Sequence, residues 1–443
     1  MSRVCPLLPR MHEKATPMVH SRELLTLASG SSLAAGQTVS VNFPITMDAV
    51  RQMVIRVDLA ALAGAAVFKR YVDHVAVRLI EYAELRYGQQ TLQRIVPDDI
   101  VTHVNMMYSD EDRATFHDHT GGGLTPAERS ARAGAVQSVY LPLVNLLRLD
   151  ERNFPDGAIC QRGHSEPYKL FIKFATADKF IEASSVAAAD VTANAIDYTS
   201  TSAFNATLFG SSSGIYAHGY TVDDDTAKAL EASAKIERRY IFNEYAGNTN
   251  STNIASTTTL TTASRVNIGL REFGIPVKML TGHFRWQVDL ERVPGGASGT
   301  YGPSYGNYAA WYRPGGSATP IITSIAVKAG ANIYLQDPES PEYLLKAERR
   351  RVMKGSSTSR AAIVPIAFSQ DVWADNAIFS FVDFGQSDNI SVDLVLSHGT
   401  YADLAAAATA DIGASSALNA QFQPIVHNSL QLGNNAAKKS WTF

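Results

Sequence analysis

SVYLPLVNLLRLDERNFPDGAICQRGHSEPYKLFIKFA, from Ser138 to Ala175, is the stretch whose reading decides the fold. It opens on the apolar run Val139-Tyr140-Leu141-Pro142-Leu143-Val144, short enough for a buried strand. A polar loop follows, with the turn formers Asn153, Pro155, Asp156 and Gly157. The stretch closes on Tyr168 to Phe174, where Leu170, Ile172 and Phe174 share one face at the strand period of two. The same plan returns later in the chain. Ile363-Val364-Pro365-Ile366-Ala367-Phe368 is again an apolar run around a proline, a polar loop carries Asp375 and Gly385, and Ile390 to Leu396 alternates. Ser165-Glu166 precedes one final strand and Ser387-Asp388 the other.

The upstream segments repeat as well. Val75-Ala76-Val77-Arg78-Leu79 leads through Gly88 to Leu92-Gln93, Pro97 and a helix-like start at Asp98-Asp99. Ile325-Ala326-Val327-Lys328 leads through Gly330 to Leu335-Gln336, Pro338, Pro341 and Glu342. An ordered set of shared features in two halves of one chain indicates an internal duplication of a β-rich domain.

At this point the residues resemble a family, the double jelly-roll major capsid proteins of icosahedral DNA viruses. The likeness is to those of the large nucleocytoplasmic DNA viruses of algae, and more distantly to tectivirus-like phage capsid proteins. Glu84-Leu85-Arg86-Tyr87-Gly88-Gln89-Gln90-Thr91-Leu92 is similar to the strand that precedes a helical insertion in that family. Tyr140-Leu141-Pro142-Leu143 resembles its "Y-x-P-L" strand, although Val144-Asn145-Leu146-Leu147 departs from the usual aromatic run. Ile215 to Tyr245 resembles the strand, Asp-led helix and strand that follow. Phe384 to Leu396 resembles its late "D-N" motif, with Asp388-Asn389 in register. The likeness runs from Val72 to Ser397. It implies an all-β fold with helical insertions, built as two tandem eight-stranded antiparallel jelly rolls. It also implies a major capsid protein forming pseudo-hexagonal homotrimers that tile an icosahedral shell. The implied partners are the chain itself, neighbouring capsomers, minor capsid or penton proteins, and an internal viral membrane met by the N-terminal arm. The implied location is the virion, after synthesis in host cytoplasm.

The expected organisation is an arm at 1–21 and a first roll at 22–245 with a helical insertion near 97–135. A linker at 246–264, a second roll at 265–400 and a tail at 401–443 complete it. The arm carries Pro6, Pro9 and Pro17 with Arg3, Arg10 and Lys14. Ala246 to Ser264 is nearly all Gly, Asn, Ser, Thr and Ala, which reads as the linker. Asp223-Asp224-Asp225 starts a helix through Arg239, with Lys235, Arg238 and Arg239 at the basic end that the helix dipole favours. Tyr240 to Tyr245 is then expected to close the first roll. Glu339 to Met353 reads as a short helix ending in Arg349-Arg350-Arg351.

Composition agrees with two domains. The chain has 443 residues, 45% hydrophobic and only 18% charged, with a net charge of −3, which argues against nucleic-acid binding over the whole surface. Cys5 and Cys160 are its only cysteines, and one lies in the arm, so no structural disulfide is expected. The sequence shows neither an uninterrupted apolar run long enough for a membrane span nor a signal peptide.

The chemistry-bearing motifs are sparse. His117-Asp118-His119 beside Asp110, Glu111 and Asp112 is the densest set of metal-ligand types, but its spacing is not that of a zinc motif, and it reads as a solvated loop. Asp223-Asp224-Asp225 lacks the glycine and distal glutamate of a calcium loop and reads as a cap. Gly299, Gly302 and Gly306 are spaced wrongly for a phosphate cradle. The loop 294–319, with Tyr301, Tyr305, Tyr308, Trp311 and Tyr312, fits subunit contacts; a glycan-binding spike or lectin is the alternative reading. Asn205, Asn250 and Asn389 head glycosylation sequons. No nucleophile, base and orienting group come together. The sequence therefore predicts no enzyme, no cofactor, no metal and no sequence-specific nucleic-acid binding.

Overall fold

A computed structural model of the chain describes residues 18–27, 33–62, 68–124, 126–143, 159–184, 208–235, 238–245, 250–254, 264–270, 276–286, 322–329, 332–337, 344, 352, 363–369, 372, 381–384, 390–396, 418–433 and 436–440. Residues 1–17 of the arm, the loop 294–319, Arg349–Arg351, Asn205 and Asn389 lie outside the described residues, as do 255–263 of the expected linker.

The first half contains β1 (Met18–Leu24), β2 (Thr38–Asn42), β3 (Ala49–Leu59), β4 (Phe68–Tyr71), α1 (Val75–Arg78), β5 (Ile80–Tyr87), β6 (Gln90–Ile95), α2 (Pro97–Met107), α3 (Asp110–Thr120) and α4 (Pro126–Ala133). It continues with β7 (Gln137–Pro142), β8 (Ile159–Cys160), β9 (Tyr168–Phe174), α5 (Ala177–Phe180), β10 (Ile181–Ser184), β11 (Gly214–Val222) and α6 (Asp224–Ala234). The second half contains β12 (Arg238–Tyr245), β13 (Asn250–Ile254), β14 (Ser264–Gly269), β15 (Pro276–Trp286), β16 (Ile322–Ala329), β17 (Asn332–Asp337), β18 (Val364–Ala367), β19 (Val382–Asp383), β20 (Ile390–Leu396), β21 (Leu418–Gly433) and β22 (Ala436–Ser440).

Strand order shows why this is one fold made twice. In the first half one sheet runs β1-β11-β3-β7, with β8 also on β3, and the other runs β2-β9-β5-β6. In the second half one sheet runs β12-β21-β15-β18, with β19 on β15, and the other runs β14-β20-β16-β17. Position for position, the sequence order of these strands is the same, and all the pairs are antiparallel. In each half the chain passes back and forth between two facing sheets, which is a jelly roll. Alternation fills the space between them: Tyr168, Leu170, Ile172 and Phe174 of β9 face Met53, Ile55 and Val57 of β3 in one core. Val392 and Leu394 join Leu280, Phe284 and Phe422 in the other.

Local irregularities repeat too. Register slips at Leu85/Arg86 in the first roll, just before the turn at Gly88, and at Val327/Lys328 in the second. It slips again at Ile80/Tyr82 and at Ile322/Ser324. Arg51 of β3 and Lys278 of β15 are each passed over in pairing with β11 and β21. From these bulges the same step along the strand reaches Val54, opposite Pro142, and Thr281, opposite Pro365. Both prolines sit on edge strands, where a missing N–H costs no ladder bond.

Several expected boundaries are corrected. Tyr240 to Tyr245 does not close the first roll: β12 pairs along its whole length with β21, so it opens the second. Residues 250–254 of the expected linker form β13, also on β21. The expected tail at 401–443 contains β21, the strand that completes the second roll. Residues 250–254 are mostly polar, and what makes them a strand is pairing with β21, whose own Phe422, Ile425 and Val426 are buried. The arm ends before Met18, since β1 pairs with β11. The helix begun at Asp224 stops at Ala234, so Arg238 and Arg239 belong to β12. Val75 to Leu79, matched in the repeat with Ile325 to Lys328 of β16, is not a strand as that segment is. His74 takes a left-handed backbone (φ 52) and starts α1, whose Val75, Ala76 and Val77 are all buried. An unalternating apolar run suits a short core helix as well as a strand. The true counterpart of β16 is β5.

Candidate functional site: the contact between the rolls

The helical insertion does more than connect strands. Pro97 occupies the first turn of α2, where its missing N–H is no loss, and Asp98 and Asp99 follow at the positive end of the helix dipole. Asp99 Oδ2 accepts the Val96 N–H at 2.9 Å, which fixes the helix start. Ile100 and Val104 pack into the first core. Thr102 and Met106 turn the other way, onto the outer face of β15 and β21 in the second roll.

That outer face is polar, and it is buried. Thr281, His283, Arg285 and Gln423 are 0%, 0%, 2% and 1% exposed. Arg285 forks onto Asp98, donating to Oδ1 at 3.1 Å and to Oδ2 at 2.9 Å, and its Nη2 also reaches Gln421 at 2.9 Å. Arg78 stands 3.7 Å from the same carboxylate. Gln423 donates to Asp99, and Thr102 Oγ1 lies 3.2 Å from His283 Nε2. Beyond these polar contacts Met106 and Met107 meet Met279, Ile425, Val352, Ile363 and Val372 in a third apolar cluster that spans both rolls.

The charges are tuned by this packing. Burial alone raises the Asp98 pKa, but Arg285 and Arg78 outweigh it and hold the carboxyl below the usual range. Asp99 is pushed up to about 8, first by burial and then by Asp98 and Glu244, so it is a neutral acid at pH 7. His283 is pushed down to about 3 by burial and by Arg285. An arginine fork, a neutral acid and a neutral histidine make a dry, oriented lock. Its chemistry is recognition.

The corresponding outer face of the first roll is different. There β3, β7 and β11 present Gln52, Val54, Tyr140, Tyr216 and His218 to a groove of about 680 Å3, walled on the other side by Met107, Tyr108, Phe116 and His119 of the insertion. Arg22 and Arg51 stand at this groove, and Arg22 lies over the Tyr216 ring at 4.2 Å.

His117-Asp118-His119 lies in α3, not in a loop. Ser109 caps this helix, with Asp112 closing a capping box, and Gly121 ends it in the left-handed conformation (φ 70). His117 packs on His74, ring centroids 4.6 Å apart, and burial pushes it down to about 4, helped by His74. His119 faces Tyr140. The helix turns the two histidines to different neighbours, and among the described residues no set of His, Cys, Asp or Glu is grouped to hold a metal ion. Asp224 and Asp225 lie in the first turn of α6, as expected of a helix start. Asp98 and Asp99 were legible as a helix start, but Arg285, His283 and Gln423 were not legible as their partners. The available signal was polar alternation, Thr281-His283-Arg285, in a strand with apolar neighbours on its other face.

No family model and no curated protein matches the sequence. Solved structures do match its shape. PBCV-1 VP54, as fitted into a reconstruction of the virophage Sputnik, superposes with a TM-score of 0.69 at 15% identity over 98% of this chain and 99% of that one. The Faustovirus major capsid protein gives 0.62 at 9% identity over 96% and 92%. The mavirus major capsid protein gives 0.52 at 10% identity over 100% and 94%. With strand order, bulges and edge prolines repeated in both halves, this chain has the double jelly-roll fold seen in those viral major capsid proteins.

Proposed function

We propose that this chain is the major capsid protein of an icosahedral virus, and that three copies form a pseudo-hexagonal capsomer. The observation that carries this reading is the lock between the rolls. A tile must hold its two wedges at one angle, and the Asp98–Arg285 fork, the Asp99–Gln423 bond and the shared methionine cluster bind α2 of one roll to the sheet of the other. Three chains of two similar rolls make six similar wedges, a shape that fills flat facets with few distinct contacts. The fold likeness to capsid proteins supports the same reading. The role is structural, without catalysis or cofactor. Its partners are other copies, neighbouring capsomers and minor capsid proteins, and its place is the virion after synthesis in host cytoplasm. The arm at 1–17 would then meet the inner side of the shell. Light scattering on the purified chain is the test, with a homotrimer expected and its interfaces burying on the order of several thousand Å2. A persistent monomer or dimer at micromolar concentration overturns the reading.

A further inference from the structure

The second helix of the insertion ends on a corner of the first roll, at Asp73 and His74, that the lock does not use. The run Gly121-Gly122-Gly123 leaves α3 and passes over His74, the residue with a left-handed backbone at the head of α1. A Cβ on Gly122 would overlap the His74 ring, so the imidazole fills the space that a side chain at 122 would need. Asp73 Oδ1 accepts the Gly123 N–H at 3.1 Å, and His74 Nδ1 lies 3.5 Å from Thr120 Oγ1. The same ring packs on His117, with centroids 4.6 Å apart and planes tilted by 55°. His117 Nδ1 is buried and has no hydrogen-bond partner among the described residues. A proton there makes a cationic N–H without an acceptor, a costly state for a buried group.

We propose that this corner is an acid-operated latch: neutral His74 and His117 hold the end of α3 closed, and a proton on the pair opens it. The charges around the pair favour that response. Asp73 opposes an added proton's charge, while Arg78 of α1, Arg113 of α3 and Arg129 of α4 add to it. Asp98 of α2 is turned to Arg285 and Arg78. The strand β7, packed on α1 and α3, has no charged residue, and α5, packed on α1, carries Asp178 and Lys179 side by side in sequence. Both rings are held below the ordinary imidazole range, first by burial. An open imidazole takes up a proton near 6.5, whereas closed His117 resists to about 4, so the closed state loses stability as pH falls through that window. For His117 alone, opening is favoured roughly twentyfold more at pH 5 than at pH 7. Phe116 and His119 of the same helix wall the groove, so an opened latch changes that face. The latch belongs to a single chain and holds whether or not capsomers form.

Hydrogen exchange on the full-length chain, read by mass spectrometry and corrected for intrinsic rates, is the test. Peptides covering His117–Gly123 should lose protection roughly twentyfold between pH 7 and pH 5, while those covering Leu170–Phe174 of β9 stay protected. His117→Phe keeps a ring against His74 without a titrating nitrogen and should remove most of that loss. Gly122→Ala should open the same peptides at pH 7. Adding His74→Asn should close them again, since Asn accepts the left-handed backbone and clears the new Cβ. Equal protection of the wild type at the two pH values overturns the latch, as does a His117→Phe chain that opens in acid to the same extent. A Gly122→Ala chain as protected at pH 7 as the wild type also overturns it. Should Gly122→Ala unfold throughout, with the β9 peptides exchanging too, the comparison of wild type with His117→Phe still decides.

Discussion

On the outer face of the second roll Thr281, His283 and Gln423 are sealed from solvent, whereas their counterparts Val54, Arg56 and Tyr216 on the first roll are only half-buried. The two rolls share strand order, bulges and edge prolines, so the difference is not one of fold. It lies in what each roll's outer sheet meets. The second roll meets α2 of the same chain, and its face carries hydrogen-bonding side chains matched to that helix. The first roll's face carries tyrosines, arginines and an open groove. Duplication supplied two equal frameworks, and side chains on one face of one sheet distinguish them. The inward faces diverged far less, because both still interleave aliphatic and aromatic residues between two sheets.

The largest effect that would break this contrast comes from removing one member of the fork. Arg285→Ala takes the forked cation from Asp98 and leaves Arg78, at 3.7 Å, to oppose its charge. Deleting one partner of a buried pair costs about 3–5 kcal/mol. The same substitution on the first roll's outer face, Arg56→Ala, removes a cation beside Asp58 that is 27% exposed and is expected to cost under about 1 kcal/mol. Urea unfolding of the two variants measures the difference. Equal losses would mean that the second roll's outer face is no more dependent on its occupant than the first.

Core truncation sharpens the comparison from the other side. Leu170 and Val392 are equivalent, each opposite the strand residue that precedes a bulge, and both are fully buried. Leu170→Ala is expected to cost about 2–5 kcal/mol, with the smaller side chain of Val392→Ala toward the low end. If the rolls unfold together through their lock, each variant lowers one shared transition in calorimetry. Two separated transitions would show that the lock does not couple them.

Those pairs also show what could be read from the chain. The proline-bearing runs and the alternating strands at Tyr168 and Ile390 were legible because edge prolines and a period of two leave local marks. The roll boundary was not, because β12 and β13 are placed by their pairing with β21, far away in the chain. Nothing near Tyr245 records that partner. The first insertion's acidic start was visible for the same local reason, and its receptor, Arg285 with Gln423, was hidden for the same non-local one.

The lock also has a pH signature. An unfolded carboxyl loses its proton near 3.9, but Asp99 keeps its proton to about 8. The folded state therefore holds an extra proton between those values, and stability falls as pH rises through that window. His283 acts in the opposite sense. An unfolded histidine takes up a proton below about 6.5, while His283 resists protonation to about 3, so stability falls as pH drops through that range. Above pH 6.5 Asp99 acts alone. Between pH 6.5 and 8 the wild type should lose roughly 1–2 kcal/mol, and Asp99→Asn should flatten that slope. A slope unchanged in the variant would place the titrating group elsewhere.

The smallest expected effect tests whether equivalent exposed positions are interchangeable. Arg86 and Lys328 follow the same bulge in the two rolls, and each reaches toward the neighbouring strand. Arg86 bonds Glu84 on its own strand and lies over the Phe171 ring at 4.2 Å. Lys328 bonds Asp393 at 2.7 Å, and Asp393 occupies the place of Phe171. Asp393 is held below its ordinary pKa: burial opposes this, but the bonds from Lys328 and Asn267 outweigh it. The first roll thus gives its cation an acid along the strand and a ring across it, and the second an acid across it. Since Lys328 is 33% exposed, water screens most of the attraction, and Lys328→Ala should cost about 0–1 kcal/mol. Arg86→Ala should cost a similar amount, because cation–π contacts at exposed sites contribute about 0.5–1 kcal/mol. Transplanting the first arrangement, with Ala326→Glu and Asp393→Phe together, should change stability by less than about 1 kcal/mol when measured by urea unfolding. A larger loss would mean that the sheet around Lys328 has specialised, and that the rolls differ on the inner-paired sheet as well as on the outer face.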